Sequence, residues 1–205
     1  MTALSPSVAA LRGEFGDAVE RTLVSCGDSI VYVRRERSHD VLAWLKDAPG
    51  QAFNYLTDVT AVEYRDPERQ LEVVYQLRSL ARKADLRVKV AVDQTQPLEV
   101  ASVTDLWRGA DWLEREVYDM FGVVFTGHPD LRRILMWETY SEGYPLRKEF
   151  PLRGHFSRAE QTRQALAANP EAHYSLEELS IAEAYDELPP DMRERLARGE
   201  RGFLR

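Results

Sequence analysis

Between Leu86 and Val92 the chain alternates without a break: Leu86, Val88, Val90 and Val92 point one way, Arg87 and Lys89 the other. Successive side chains of an extended strand lie on opposite faces, so this run predicts a strand with one buried and one wet face. Two more runs of β-formers precede it, "FNYLTDVTAVEY" and "LEVVYQLRSL", separated by the turn "RDPERQ". Closer to the N-terminus, "VERTLVS" and "SIVYVRR" flank "CGD" and predict a hairpin, with Cys26 a small apolar filler beside a strand.

Helical spacing appears three times in the same region. Ser5 followed by Pro6 is a good helix start, and the helix runs to Gly16. Ser38 is placed to cap "HDVLAWLKD", where Val41, Leu42 and Leu45 form an apolar stripe that Pro49-Gly50 ends. From Ala110 to Phe121, Leu113, Val117 and Phe121 recur at i, i+4, i+8 and face a core. Asp111, Arg115 and Asp119 repeat the same spacing on another face and predict an ion-paired ladder. Gly122 ends this helix, "VVF" is a short strand or extended segment, and Trp107 and Trp112 read as core residues.

The order helix, two strands, helix, three strands predicts an α+β domain. Its sheet is mainly antiparallel or mixed, with helices packed on one face. Beyond Phe150 the texture changes: "SRAEQTRQALAANP" and "SLEELSIAEAYDELPPDMRERLARG" are helix-prone, acidic and short of β-formers. We therefore divide the chain into a domain over residues 1–154 and a partly helical extension over 155–205, suited to wrapping a neighbour.

Composition narrows the function classes. The 205 residues are 44% apolar and 30% charged, ordinary for a globular chain, and the net charge of -7 argues against a general nucleic-acid binder. Cys26 is the single cysteine; it cannot close an internal disulfide, and an iron–sulfur cluster normally takes four protein ligands. "MTALSPSVAALRGEFGD" does not read as a signal peptide. Runs such as "IVYV" and "VLAWL" fall far short of the roughly 20 apolar residues a spanning helix needs, so no direct membrane span is expected.

Chemistry concentrates in "EREVYDMFGVVFTGHPDLRRIL", Glu114 to Leu135. "GVVFTGHP" has the glycine spacing of a phosphate loop, but His128 and Pro129 stand where lysine and a hydroxyl are needed, and Pro129 removes an N–H from the cradle. Glu114, Glu116, Asp119, His128 and Asp130 are possible metal ligands. Glu114 and Glu116 diverge on a helix, and His39, His128, His155 and His173 are scattered. No carboxylate pair is singled out for acid–base hydrolysis, and no GxSxG supports a nucleophile. Docking explains more. Gly127 to His155 carries Arg132, Arg133, Arg147, Lys148 and Arg153 against Asp130, Glu138, Glu142 and Glu149, with Trp137, Tyr140, Tyr144 and Phe150 interleaved. Arginine and aromatics are enriched at protein interfaces, and Pro129, Pro145 and Pro151 stiffen the segment. A proline-rich loop lying over the domain's own core fits the same composition equally well.

"EREVYDMF", His128, Arg132 and Ile134-Leu135 together resemble the signature of the 30 kDa (C-type) subunit family of respiratory complex I, NADH:quinone oxidoreductase. "GYPLRKEFPL" is similar to the family's "GHPLRKDFPL", and "VTDLWRGADWLERE" resembles its lead-in. The resemblance covers about residues 30–153 and is most specific over 103–152. Tyr144 stands where the family often has histidine, and Glu149 where it often has aspartate.

The resemblance implies a non-redox subunit of the peripheral, hydrophilic arm of the proton-translocating enzyme. No catalytic residue and no cofactor is expected in this chain; the FMN and iron–sulfur centres belong to partner subunits. The implied partners are other peripheral-arm chains, chiefly the D-type and B-type subunits. The implied location is the cytoplasmic side of the cell inner membrane, held there by those partners. Glu114, Arg115, Glu116, Asp119, His128, Arg132, Arg133, Arg147 and Lys148 are the candidate signature and docking residues. Arg147 and Lys148 are the foremost candidates for contact with an acidic partner surface. Glu114, Glu116 or Asp119 would anchor Arg132 or Arg133. The same module in a membrane-bound hydrogenase or ferredoxin-linked complex is an alternative, and a free-standing acid–base enzyme a further one.

Overall fold

The computed structural model describes residues 5–65 and 71–168. Contacts divide the chain into two compact units, Met1–His155 and Phe156–Arg205. In the first unit α1 (Pro6–Glu14) leads into a hairpin of β1 (Val19–Ser25) and β2 (Asp28–Val33). A single 3-10 turn, Arg35–Arg37, then opens α2 (Ser38–Asp47). Three strands follow, β3 (Tyr55–Glu63), β4 (Leu71–Ser79) and β5 (Ala84–Val92). The short β6 (Glu99–Ala101), α3 (Ala110–Phe121) and β7 (Val124–Thr126) complete the regular part. In the second unit α4 (Arg158–Ala168) is described; the Ser157 hydroxyl accepts the Glu160 N–H at 3.3 Å, a cap on its first turn. The remaining helix-prone stretch of the expected extension lies outside the described residues.

Five strands form one mixed sheet in the order β1-β2-β5-β4-β3. The hairpin and the β3–β4–β5 meander are antiparallel, while β2 and β5 run parallel, Ile30 opposite Arg87 through Val33 opposite Val90. The alternation along β5 holds: Leu86, Val88, Val90 and Val92 are buried in the core. They join Val73, Tyr75 and Leu77 of β4, and Val8 and Leu11 of α1, Val41, Leu42 and Leu45 of α2, and Val117 and Phe121 of α3 complete the same cluster. Helices α1, α2 and α3 therefore share one face of the sheet, as two-layer packing of amphipathic elements requires. On the other face Lys89 pairs with Glu72 at 2.8 Å and reaches the Tyr64 hydroxyl at 3.2 Å. A second sheet pairs β6 with β7 in parallel; β7 falls in the short segment expected after Gly122, while β6, with only three residues, is not legible in the sequence.

Three local expectations are corrected. Cys26 is exposed at the hairpin tip, not packed beside a strand; with φ of 52° it and Gly27 at 93° form the two-residue turn between Ser25 and Asp28. Ser38 does not cap α2: its hydroxyl donates back to the Arg35 carbonyl at 2.8 Å, tying the helix to the preceding 3-10 turn. Trp112 is 71% exposed, because it shares the solvent side of α3 with Glu116, one turn on, while Trp107 is buried.

Gly122 closes α3 in the left-handed conformation, φ 79°, with its N–H on the Tyr118 carbonyl. A Cβ here would lie 2.5 Å from the Tyr144 ring. Gly122→Ala is therefore expected to lose about 1–2 kcal/mol from backbone strain alone, and more as Tyr144 is pushed from its edge contact with Tyr118. Thermal melting of the variant against the parent chain measures this; an equal midpoint would refute it.

Candidate functional site

The inward face of α3 carries three charged side chains that a surface helix would normally expose: Glu114, Arg115 and Asp119 are 0, 7 and 0% exposed. Each is bonded to the irregular segments that flank the helix. Asp119 is the hub. Its Oδ2 accepts three consecutive backbone N–H groups, Ile134 at 3.1 Å, Leu135 at 2.8 Å and Met136 at 2.8 Å. Its Oδ1 accepts from Arg133 at 2.6 Å. One carboxylate thus replaces the hydrogen bonds that secondary structure would have supplied to residues 134–136.

Arg133 extends the hub. It donates to the carbonyls of Asp119 and Gly143, both at 3.2 Å, and lies over the rings of Tyr140 and Tyr144 at 5.2 and 5.4 Å. Trp137 meets Tyr140 edge-on at 4.9 Å. Charge-assisted bonds and cation–π contact act together on a side chain that is only 14% exposed. Arg115 donates to the carbonyls of Arg132 at 3.2 Å and Arg133 at 3.1 Å. The expected ladder of Asp111, Arg115 and Asp119 along the helix does not form; Arg115 and Asp119 each turn to the peptide groups of the 132–136 segment. Asp111 meets His128 instead, 3.3 Å from Nε2. The fully buried His128 ring donates from Nε2 to the Asp111 carbonyl at 3.1 Å and accepts the Asp130 N–H on Nδ1 at 3.0 Å, which fixes one neutral tautomer.

A second clamp holds residues 144–148. Glu63, at an inward position where β3 ends, pairs with Arg147 at 3.5 Å and accepts the Lys148 N–H. Gln94 closes the ring, donating to Glu63 at 3.1 Å and accepting from Arg147 at 3.1 Å. The Arg147 side chain is only 10% exposed. Its expected role as an outward contact is therefore corrected: a buried carboxylate pulls it into the domain. Lys148 keeps only its backbone in the clamp, and the residue is exposed. Sequence reasoning misses Glu63 and Gln94, although Glu63 leaves a trace: it continues the buried series Val59, Ala61 with a charge.

Glu114 anchors the other side. Its carboxylate accepts the Val103 N–H and the Ser102 hydroxyl, both at 2.7 Å, and so ties α3 to the segment that enters it. Burial pushes its pKa up to about 7, against the pull of those two bonds, with the nearby Asp105 and Asp111 adding to the rise. Glu114 does not reach Arg132 or Arg133, and Glu116 is exposed; of the three acids considered as anchors, Asp119 alone holds Arg133. Arg132 faces outward in a surface pair with Asp130 at 2.8 Å, both more than half exposed. Such a pair adds little stability.

With the inner side pinned, the outer side is defined. Arg132, Lys148 and Arg153 face solvent beside Leu135 at 60%, Leu146 at 52% and a fully exposed Leu152. Among the described residues no group of three His, Cys, Asp or Glu side chains converges to hold a metal ion. No helix among them is long and apolar enough to cross a membrane.

Residues 31–156 match the family described as respiratory-chain NADH dehydrogenase, 30 Kd subunit. The chain belongs to this family. Among family relatives, the NADH-quinone oxidoreductase C subunit of Roseiflexus sp. (strain RS-1) is 47% identical over 142 residues, 69% of this chain and 80% of that one. The C 2 subunit of the same enzyme in Rhizobium etli (strain CIAT 652) is 44% identical over 141 residues, 69% of this chain and 74% of that one. A trypsin-resistant fragment of Nqo5 superposes with a TM-score of 0.53 at 34% identity, covering 60% of this chain and 98% of the fragment. A chain of an archaeal membrane-bound sulfane sulfur reductase shares the fold at a TM-score of 0.59 and 22% identity, over 77% of this chain and 88% of that one. The family match contains both clamps, from Glu63 to Lys148.

Proposed function

We propose that this chain is a non-redox structural subunit of the peripheral arm of a proton-translocating NADH:quinone oxidoreductase. It docks through the outward side of residues 127–155 onto the D-type subunit, near the B-type subunit. Electrons pass from NADH through FMN and iron–sulfur centres in partner subunits to quinone, while this chain carries no cofactor and supplies rigidity. The partners hold it on the cytoplasmic side of the inner membrane.

One observation carries the reading. A long segment with little regular structure is fixed from beneath by buried charges, while it presents leucines and cations outward. A loop that served only its own core would turn those leucines in. A pre-ordered surface loses little entropy on docking, and exposed apolar side chains rimmed by charge mark interaction surfaces.

Lys148→Glu combined with Leu152→Asp is the test, since neither side chain takes part in the clamps. The isolated double variant should keep the parent's circular dichroism and melting point, but the whole oxidoreductase should no longer be recovered with it. Full recovery of the assembled, active complex would refute the docking surface. The co-purifying subunits identify the host: flavin and NADH-binding chains support the oxidoreductase, a nickel–iron hydrogenase set the alternative module.

A further inference from the structure

Among the described residues no cation stands beside Glu114, in contrast to Asp119. Asp119 faces Arg133 at 2.6 Å; Glu114 accepts from the Val103 N–H and the Ser102 hydroxyl. The titratable groups facing it are Tyr75 from β4, Asp105 from the segment before α3, which itself meets His39 of α2 at 3.0 Å, and Asp111 from α3 itself. None of them supplies positive charge. Arg115, next along the helix, is turned to the carbonyls of residues 132 and 133. A carboxyl buried among such groups favours its neutral form.

A route for the proton is present in the same bonds. The Ser102 hydroxyl lies 2.7 Å from Glu114 Oε2 and 2.9 Å from the Thr104 hydroxyl. Ser102 is buried, Thr104 is half-buried and Asp105 beyond it is exposed. A hydroxyl both donates and accepts, so this row runs in either direction. With Glu114 ionised, Thr104 donates to Ser102 and Ser102 donates to Glu114. With Glu114 protonated, Glu114 donates to Ser102 and Ser102 donates to Thr104. Val103 donates to the other oxygen, Oε1, in both states. No heavy atom has to move.

We propose that Glu114 is a reversible proton-binding site that exchanges with solvent through Ser102 and Thr104, and that each exchange reverses the Ser102–Glu114 and Ser102–Thr104 hydrogen bonds while the Val103 bond keeps its direction. A proton arriving from water at Thr104 Oγ1 sends that hydroxyl's own proton to Ser102 Oγ, and the Ser102 proton passes to Glu114 Oε2. Release follows the reverse order. None of these bonds involves the docking segment, so the site stands whether or not that surface binds a partner.

Infrared difference spectroscopy of the full chain across neutral pH tests this. A carbonyl band of a buried carboxylic acid should appear as pH falls through about 7, above the range where exposed carboxyls titrate. Glu114→Gln should abolish it. Ser102→Ala removes one bond to the charged form and should move the midpoint up by about one pH unit. The serine variant retains the carboxyl, so the site remains testable where the glutamine variant fails to fold. Absence of the band, its survival in Glu114→Gln, or a midpoint indifferent to Ser102→Ala would overturn the proposal.

Discussion

Asp119→Ala is expected to lose about 3–5 kcal/mol of folded stability, the usual cost of breaking a buried ion pair by removing one partner. The substitution leaves Arg133 with its charge inside the domain and without its carboxylate. It also strips the shared acceptor from the N–H groups of Ile134, Leu135 and Met136. Those peptides have no helix or strand to fall back on, so the turn should open. Asp119→Asn should be nearly as damaging, because its amide nitrogen would face a guanidinium or three N–H donors. Urea titration gives the stability. Limited trypsin digestion gives the location, since cleavage after Arg132 or Arg133 should accelerate in both variants. A protected turn with an unchanged midpoint would show that the hub is dispensable.

The second large effect is a dependence on pH. Burial moves Glu114 from its ordinary value of 4.5 to about 7. Between those values the folded chain holds a proton that the unfolded chain has released. The folded state then binds more protons, so this group's contribution to stability falls as pH rises through that window and is level outside it. A gap of that size corresponds to a loss on the order of 3 kcal/mol. Glu114→Gln imitates the protonated form: its carbonyl accepts from Val103 and its amide donates to Ser102. The stability of the parent relative to this variant should therefore drop between pH 4.5 and pH 7. Parallel curves for the two chains, measured by urea midpoints across that range, would contradict the assignment.

The sheet is readable because strand alternation is a local signal. Leu86 to Val92 declares its own buried face, and Val117 and Phe121 declare the face of α3. The hairpin turn falls where expected, but the left-handed conformation of Cys26 at the tip precludes the packing role its chemistry suggests. Trp112 departs from expectation for a related reason. Aromatic size suggests a core, yet helical phase decides, and the neighbour Leu113 holds the inward position. Within the candidate site, the window from Glu114 to Leu135 is visible as an unusual density of charge. Its division into inner and outer members is not. Arg147 and Lys148 are adjacent and chemically alike, but only Arg147 lies where Glu63 can draw it inside.

The amino-acid sequence alone determined the α+β class, the helices on one face of the sheet, and the family to which the signature around α3 belongs. The first two depend on spacing within a few turns or strands, where hydrophobic period acts directly, and the third on the resemblance of its signature residues. Tertiary structure decided which charges are buried and what they hold. Asp119 meets Arg133 across 14 residues and Arg147 reaches Gln94 across 53. Those meetings depend on the register of distant elements, and burial multiplies their strength only after the chain has folded around them.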